Sequence, residues 1–286
     1  MIDYTSVSEL LEISRETGSI SEAVIRHYTE NGESREAAVK RMTESLEVMR
    51  ASVREGLNPD ARSMSGRVGG QSAMAMKALK DGVTFGGKPL GLSSVYALAA
   101  AECNACMGRI VAAPTAGACG VLPGTLFAAQ EEKGYSDEKL VRALFTASGF
   151  GRIIAIRASI SGAEGGCQAE VGTASAMAAA ALCDLAGADA ETCARACGFA
   201  IMNIMGLVCD PVGGLVEVPC VYRNVMGAAN AITAANLALS GIPLIMPVDE
   251  IIEAMRKVGR SLDSSLRETG EGGCAACKLC APGENE

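Results

Sequence analysis

Apolar residues recur along this chain at three- and four-residue spacing, and no alternating run of five or more β-branched residues stands out. A half-buried strand needs alternation, whereas a helix that buries one stripe needs the longer period. The pattern predicts an all-α fold. Leu10, Leu11 and Ile13 mark a helix over 6–16, and Ile20, Val24 and Tyr28 mark another over 19–31, with Ser19 near its start as N-cap. Ser34 caps a third helix that runs to about Glu55, with Ala38, Met42, Leu46 and Met49 on one face and charge on the other. Further helices fit 74–79, 93–106, 123–132, 136–150, 168–186, 189–206, 222–240 and 247–257. Arg152 to Ser161 is the best strand candidate, although its alanines leave it ambiguous.

Side-chain size decides how such helices pack. Hydrophobic residues make up 49% of the chain, but aromatics only 3%, with no Trp and with 33 Gly. Small side chains let helices approach closely, and each buries less area than an aromatic ring would. A length of 286 residues suffices for a sizeable core. With no internal repeat in view, one domain is expected over 1–268, followed by a flexible Cys-rich tail over 269–286. The net charge of −8 argues against a nucleic-acid partner, which needs clustered Lys and Arg. Residues 1–17 are mixed and charged, unlike a secretory signal, and the apolar stretches are broken by Gly, Pro or charge before reaching a membrane span of ~20 residues. The expected location is the cytoplasm, away from the membrane.

Twelve Cys are unusual for such a chain. Disulfides are rare in a reducing compartment, so metal or cluster ligation stands beside simple packing as their use. Three stretches set a Cys beside Gly or Pro at a predicted loop–helix junction. They are Ser161 to Gly172 around Cys167, Val208 to Gly214 around Cys209, and Val218 to Asn224 around Cys220. Gly lets backbone come close to a cluster or a substrate. Spacing alone does not single out positions 167, 209 and 220, which follow no compact CxxC rule. A fourth loop, Ala113 to Gly120, suits a substrate carboxylate, with Thr115 and the N–H groups around Gly117 as donors, or serves as a capping turn. Ser65-Gly66 and Gly69-Gly70 offer a second, weaker anion loop.

Three long motifs, MGRIVAAPTAGACGVLPG at 107–124, SISGAEGGCQAEVG at 159–172 and CDPVGGLVEVPC at 209–220, closely resemble the alpha chain of the iron–sulfur L-serine dehydratases. The resemblance runs from about residue 8 to about 268. It implies an all-helical catalytic domain and a [4Fe–4S] cluster on Cys167, Cys209 and Cys220. Three thiolates rather than four leave one iron open, and an open iron can act as a Lewis acid on a hydroxyl. The implied reaction takes L-serine to pyruvate and ammonia. Glu164, Glu170 and Asp210 lie near the ligands as candidates for the base. Thr115, Gly117, Ser161 and Asn224 are candidates for substrate binding. The family's smaller beta domain is absent from this sequence, which implies a separate beta subunit in a heterodimer or a dimer of heterodimers.

Other residues fit less well. Cys103 and Cys106 form a CxxC in an Ala-rich helical run, where packing explains them. Cys274, Cys277 and Cys280 have CxxCxxC spacing, open to a second metal site, to a thiol that blocks the open iron, or to no role. His27 is the only His and lies far along the chain from the motifs. A pyridoxal-phosphate dehydratase would need a Schiff-base lysine, and Lys77, Lys80 and Lys88 lie in no such setting. A lyase on another small amino acid, such as a cysteine desulfhydrase, and an iron–sulfur redox protein are the remaining alternatives.

Overall fold

The computed structural model describes residues 3–277, and among these there is no strand. Helices α1 (Val7–Thr17), α2 (Ile20–Glu30) and α3 (Arg35–Gly56) form an outer layer, each begun by a serine whose side chain accepts an N–H of the first turn. Ser6 and Glu9 complete a capping box on α1. After a turn-rich stretch come α4 (Gln71–Lys80), α5 (Gly87–Ala105), α6 (Val121–Lys133) and α7 (Asp137–Arg157). A one-turn α8 (Gly162–Gly165) precedes α9 (Thr173–Leu185), α10 (Ala190–Ile204), α11 (Cys220–Leu239) and α12 (Val248–Ser261).

The centre is α9. Its sequence is almost entirely Ala and small residues, and it is buried nearly all round, packed by α6, α7, α10 and α11. A helix apolar on every face belongs in a core. The larger side chains come mainly from α7, where Phe145, Phe150, Ile153 and Ile154 are fully buried. That stripe corrects the strand candidate: Arg152 to Arg157 continues α7, because Ile153 and Ile154 extend its buried face by another turn. The start of α5 lies six residues before the predicted position 93, and α12 continues to Ser261 because Met255 and Gly259 prolong its buried stripe. No helix among the described residues is long and apolar enough to cross a membrane.

Close approach is built into α3 and α5. A Cβ placed on Gly56 would lie 1.8 Å from the Ala99 carbonyl oxygen. Gly56→Ala must therefore push the two helices apart, and overpacking at this level costs about 3 kcal/mol. Urea unfolding should show the midpoint falling accordingly; a midpoint equal to that of the parent would refute the tight contact. Next to it, Gly70 supplies no side chain to cap α4. Glu102 of α5, fully buried, replaces the cap by accepting from the Gln71 and Ser72 N–H groups at 2.9 and 3.0 Å.

Candidate active site

The loops singled out in the sequence meet at one end of α9 and α11. The 3-10 turn Ala116–Ala118, the turn Gln168–Gly172 and the first turn of α11 contact one another. Cys167 closes the loop after α8, Cys209 lies between α10 and α11, and Cys220 opens α11. All three are free thiols. Cys209 lies near enough to both others, and Cys167 to Cys220, for their charges to be felt. Residues Gln168–Gly172 form a π-type turn, a widened turn common at functional sites, which places Glu170 beside the thiols.

Of the three acids singled out in the sequence, Glu170 is the one that contacts one of these thiols, that of Cys209, and Glu268 lies near enough to both for its charge to be felt. Glu170 Oε1 accepts from Thr115 Oγ1 at 2.7 Å, and its Oε2 lies 3.8 Å from Cys209 Sγ. Burial holds its carboxyl above the usual range, with the Thr115 hydrogen bond opposing that rise. A methyl on Gly162 would meet Glu170 Oε2 at 2.7 Å, Cys209 Sγ at 2.8 Å and Glu268 Oε2 at 3.2 Å, so this glycine keeps open the space between them. Gly117 stands on the other side, with a would-be Cβ 3.2 Å from Glu170 Oε1.

Two other sequence candidates are engaged elsewhere. Asp210, 2% exposed, pairs with Arg223 Nη1 at 2.7 Å and accepts the Cys274 N–H at 2.6 Å. Glu164 accepts from Ser159 Oγ at 2.6 Å and lines a separate cavity. Asn224 also acts as a brace: its oxygen accepts the Gly120 N–H, and its amide donates to the Gly117 and Cys220 carbonyls. It thereby fixes the Thr115 loop to the helix that carries Cys220. Ser161 precedes α8, and its N–H donates to Ser159 Oγ. In the Thr115 loop the N–H groups of Ala118, Cys119 and Gly120 are taken, so its capacity for an anion rests on Ala116 and Gly117.

Burial pushes the Cys167 thiol up to about 12 and the Cys220 thiol to about 11, with Arg223 pulling each down and Glu170 pushing each up. Cys209 is raised further, by burial first and then by Glu170. Bare thiolates are costly in such a place, so the set suits a soft cation that replaces the protons. No three Cys, His, Asp or Glu side chains among the described residues are arranged to chelate one metal ion. Cysteines from three separate loops are the residues that would hold a polynuclear iron–sulfur group, with one thiolate to each of three irons.

Besides Glu268, two residues of the site escaped the sequence reading. Arg223 bonds the Val208 carbonyl at 2.8 Å and reaches Cys167, providing the positive charge beside the thiols. Glu217, which falls between Cys209 and Cys220 in the sequence, is buried and accepts from Ser63 Oγ at 2.9 Å, from the Ser65 N–H at 3.2 Å and from Ser65 Oγ. It ties the Ser65-Gly66 loop to the cysteine loop. Its signal was available, as a lone acid in an otherwise apolar run, Val212 to Pro219. Glu217→Ala leaves these donors without their acceptor, at a cost of about 2 kcal/mol. Trypsin should then cut faster after the exposed Arg62 and Arg67, while Glu217→Gln should recover part of the protection. An unchanged cleavage rate in Glu217→Ala would show that the loop does not depend on this clamp.

Of the predicted tail, residues to Cys277 are described: the Gly272 N–H donates to the Ser265 carbonyl and Cys274 is held by Asp210. Cys280 lies outside the described residues. Lys77 pairs with Asp81, and Lys80 and Lys88 line a cavity that shares no residue with the thiol site. His27 packs on Tyr4 and Tyr28 in the outer layer. Cys103, Cys183, Cys193 and Cys197 are buried within the helical packing.

The family described as serine dehydratase alpha chain matches residues 15–275. The chain is 48% identical over 276 residues to a protein of Bacillus subtilis named probable L-serine dehydratase, alpha chain, covering 96% of this chain and 91% of that one. It is 42% identical over 231 residues to the L-serine dehydratase alpha chain of Peptoniphilus asaccharolyticus, covering 81% and 79%. The L-serine dehydratase of Streptomyces coelicolor is 37% identical over 279 residues; the match takes in 95% of this chain but only 60% of that longer protein.

Proposed function

This chain belongs to the serine dehydratase alpha-chain family, and from that premise we propose that it acts as an L-serine ammonia-lyase, converting L-serine to pyruvate and ammonia on a [4Fe–4S] cluster. The observation that carries this reading is the set of three free thiols, Cys167 and Cys209 buried and Cys220 half-buried, beside the Glu170–Thr115 pair. The cluster, when bound by three thiolates, supplies an open iron as a Lewis acid for the substrate hydroxyl.

The chain's own groups do the rest. Glu170 takes the α-proton, since it is the one candidate carboxylate that faces the thiols and has an oxygen free of ion pairs. Thr115 orients it by donating to Oε1. Gly162 and Gly117 leave the space that the amino acid fills, and the N–H groups of Ala116 and Gly117 receive its carboxylate. Ser161, which precedes Gly162 in the chain, is assigned to substrate binding. Asp210, Arg223 and Asn224 hold the cysteine loops in place. Once hydroxide has left, the enamine tautomerises and hydrolyses in water to release ammonia.

Residues 1–268 are assigned to the catalytic domain and 269–286 to a C-terminal tail. The naming of the family and of its relatives as alpha chains supports a separate beta subunit. The match takes in 91% of the Bacillus alpha chain, whereas about two-fifths of the longer Streptomyces protein lies outside it. A heterodimer or a dimer of heterodimers in the cytoplasm follows as the working form. Anaerobic reconstitution with iron and sulfide, with the beta subunit present, should give pyruvate from L-serine and a brown absorption lost in air. Sulfide release from L-cysteine without serine turnover would transfer the assignment to a desulfhydrase.

A further inference from the structure

A cavity of about 310 Å³ lies between α12, the loop around α8 and the segment after α12. Ser159, Glu164, Gln168, Arg256, Arg260 and Arg267 line it, and none of the three cysteines, Glu170 or Thr115 does. Its lining carries three arginines and one carboxylate, and Asp263 lies near enough to feel the charge of Arg267. Arg256 is paired with Glu253 at 2.7 Å, and Glu164 is hydrogen-bonded by Ser159. Neither Arg260 nor Arg267 has a carboxylate within ion-pair distance among the described residues. Arg267 Nε is buried and has no hydrogen-bond partner. A buried donor left unpaired is expensive, and a guanidinium fork matches the oxygens of a phosphate or carboxylate.

The wall of this cavity is joined to the thiol site by backbone. The Cys209 N–H donates to the Leu266 carbonyl at 2.9 Å, and the Glu268 N–H donates to the Cys209 carbonyl at 2.7 Å, with Arg267 between them. Gln168, adjacent to Cys167, is held at three points: its N–H donates to Leu207, its Nε2 donates to Met255, and its Oε1 accepts from Gly206. A ligand fixed to Arg267 would therefore stiffen the segment that carries Cys209.

We propose that this cavity is a binding site for a small oxyanion, held by Arg260 and Arg267, whose occupancy rigidifies the Cys209 segment from behind. The site does not depend on the lyase reading, because binding is measurable without turnover. The test uses the full chain, titrated with inorganic phosphate at ionic strength kept constant with sodium chloride, and followed by thermal unfolding and amide hydrogen exchange. The midpoint should rise with phosphate, and exchange at Cys209 and Glu268 should slow. Acetate in a parallel titration separates a carboxylate ligand from a phosphoryl one. Arg260→Gln, at an exposed position, should weaken the phosphate response about tenfold or more; Arg260→Gln with Arg267→Gln should remove it. A chloride response equal to that of phosphate, or an undiminished response in Arg260→Gln, would overturn the proposal.

Discussion

A Cys209→Ser chain is expected to lose its cluster iron and, with it, at least about 10³-fold of pyruvate formation from L-serine, since a Lewis-acidic metal contributes several kcal/mol to such a step. The backbone at this position is held by Leu266 and Glu268 regardless of the side chain, so the fold should survive. What changes is the donor atom. Serine offers a hard oxygen of high pKa in place of a soft sulfur, in a pocket where burial already opposes ionisation. Cys167→Ser and Cys220→Ser should behave alike, because each thiol comes from a different loop and none can substitute for another. The control is Cys197→Ser on α10, fully buried and away from the thiol site, which should retain iron and turnover. Normal iron content and activity in Cys209→Ser would mean that the ligand set has been misassigned.

How much of this was legible beforehand depends on the scale of the signal. Helical spacing predicts α1, α2 and α3 to within a residue or two, because serine caps and a charged outer face punctuate them. It is less informative where every face is apolar. The stretch 168–186 reads as one helix, yet it contains a π-type turn over Gln168–Gly172 that no periodicity announces, and that turn sets where Glu170 points. Arg152 to Arg157 looked ambiguous because Ile and Ala suit either element in isolation; packing against the core decides it. Among site residues, the cysteines were visible through motif resemblance rather than spacing. The three acids near them were equivalent in sequence and became distinct only in three dimensions. Asp210 meets Arg223, Glu164 meets Ser159, and Glu170 alone meets Thr115 and a cysteine. Such distinctions rest on contacts up to 64 residues apart in the chain, as between Asp210 and Cys274, which local reading cannot supply.

The same contacts carry the second large effect. Glu170→Gln keeps the shape of the side chain and an oxygen able to accept from Thr115, but removes the group that can hold the α-proton. Loss of a positioned base typically costs 10²–10⁴-fold, and kcat for L-serine is expected to fall by about that factor. Because proton removal belongs to the transition state, kcat and kcat/KM should fall together, with KM little changed. Iron content and unfolding midpoint serve as the structural readouts and should match those of the parent. Thr115→Val tests the support beneath: with Glu170 intact but unheld, a fall of about tenfold in kcat is expected, the scale of one net hydrogen bond. If Glu170→Gln stays active while Glu164→Gln loses turnover, the base lies on the Ser159 side of the loop, and the Thr115 contact is structural. If KM rises alone in Glu170→Gln, the carboxylate binds substrate equally in ground and transition states and takes no proton.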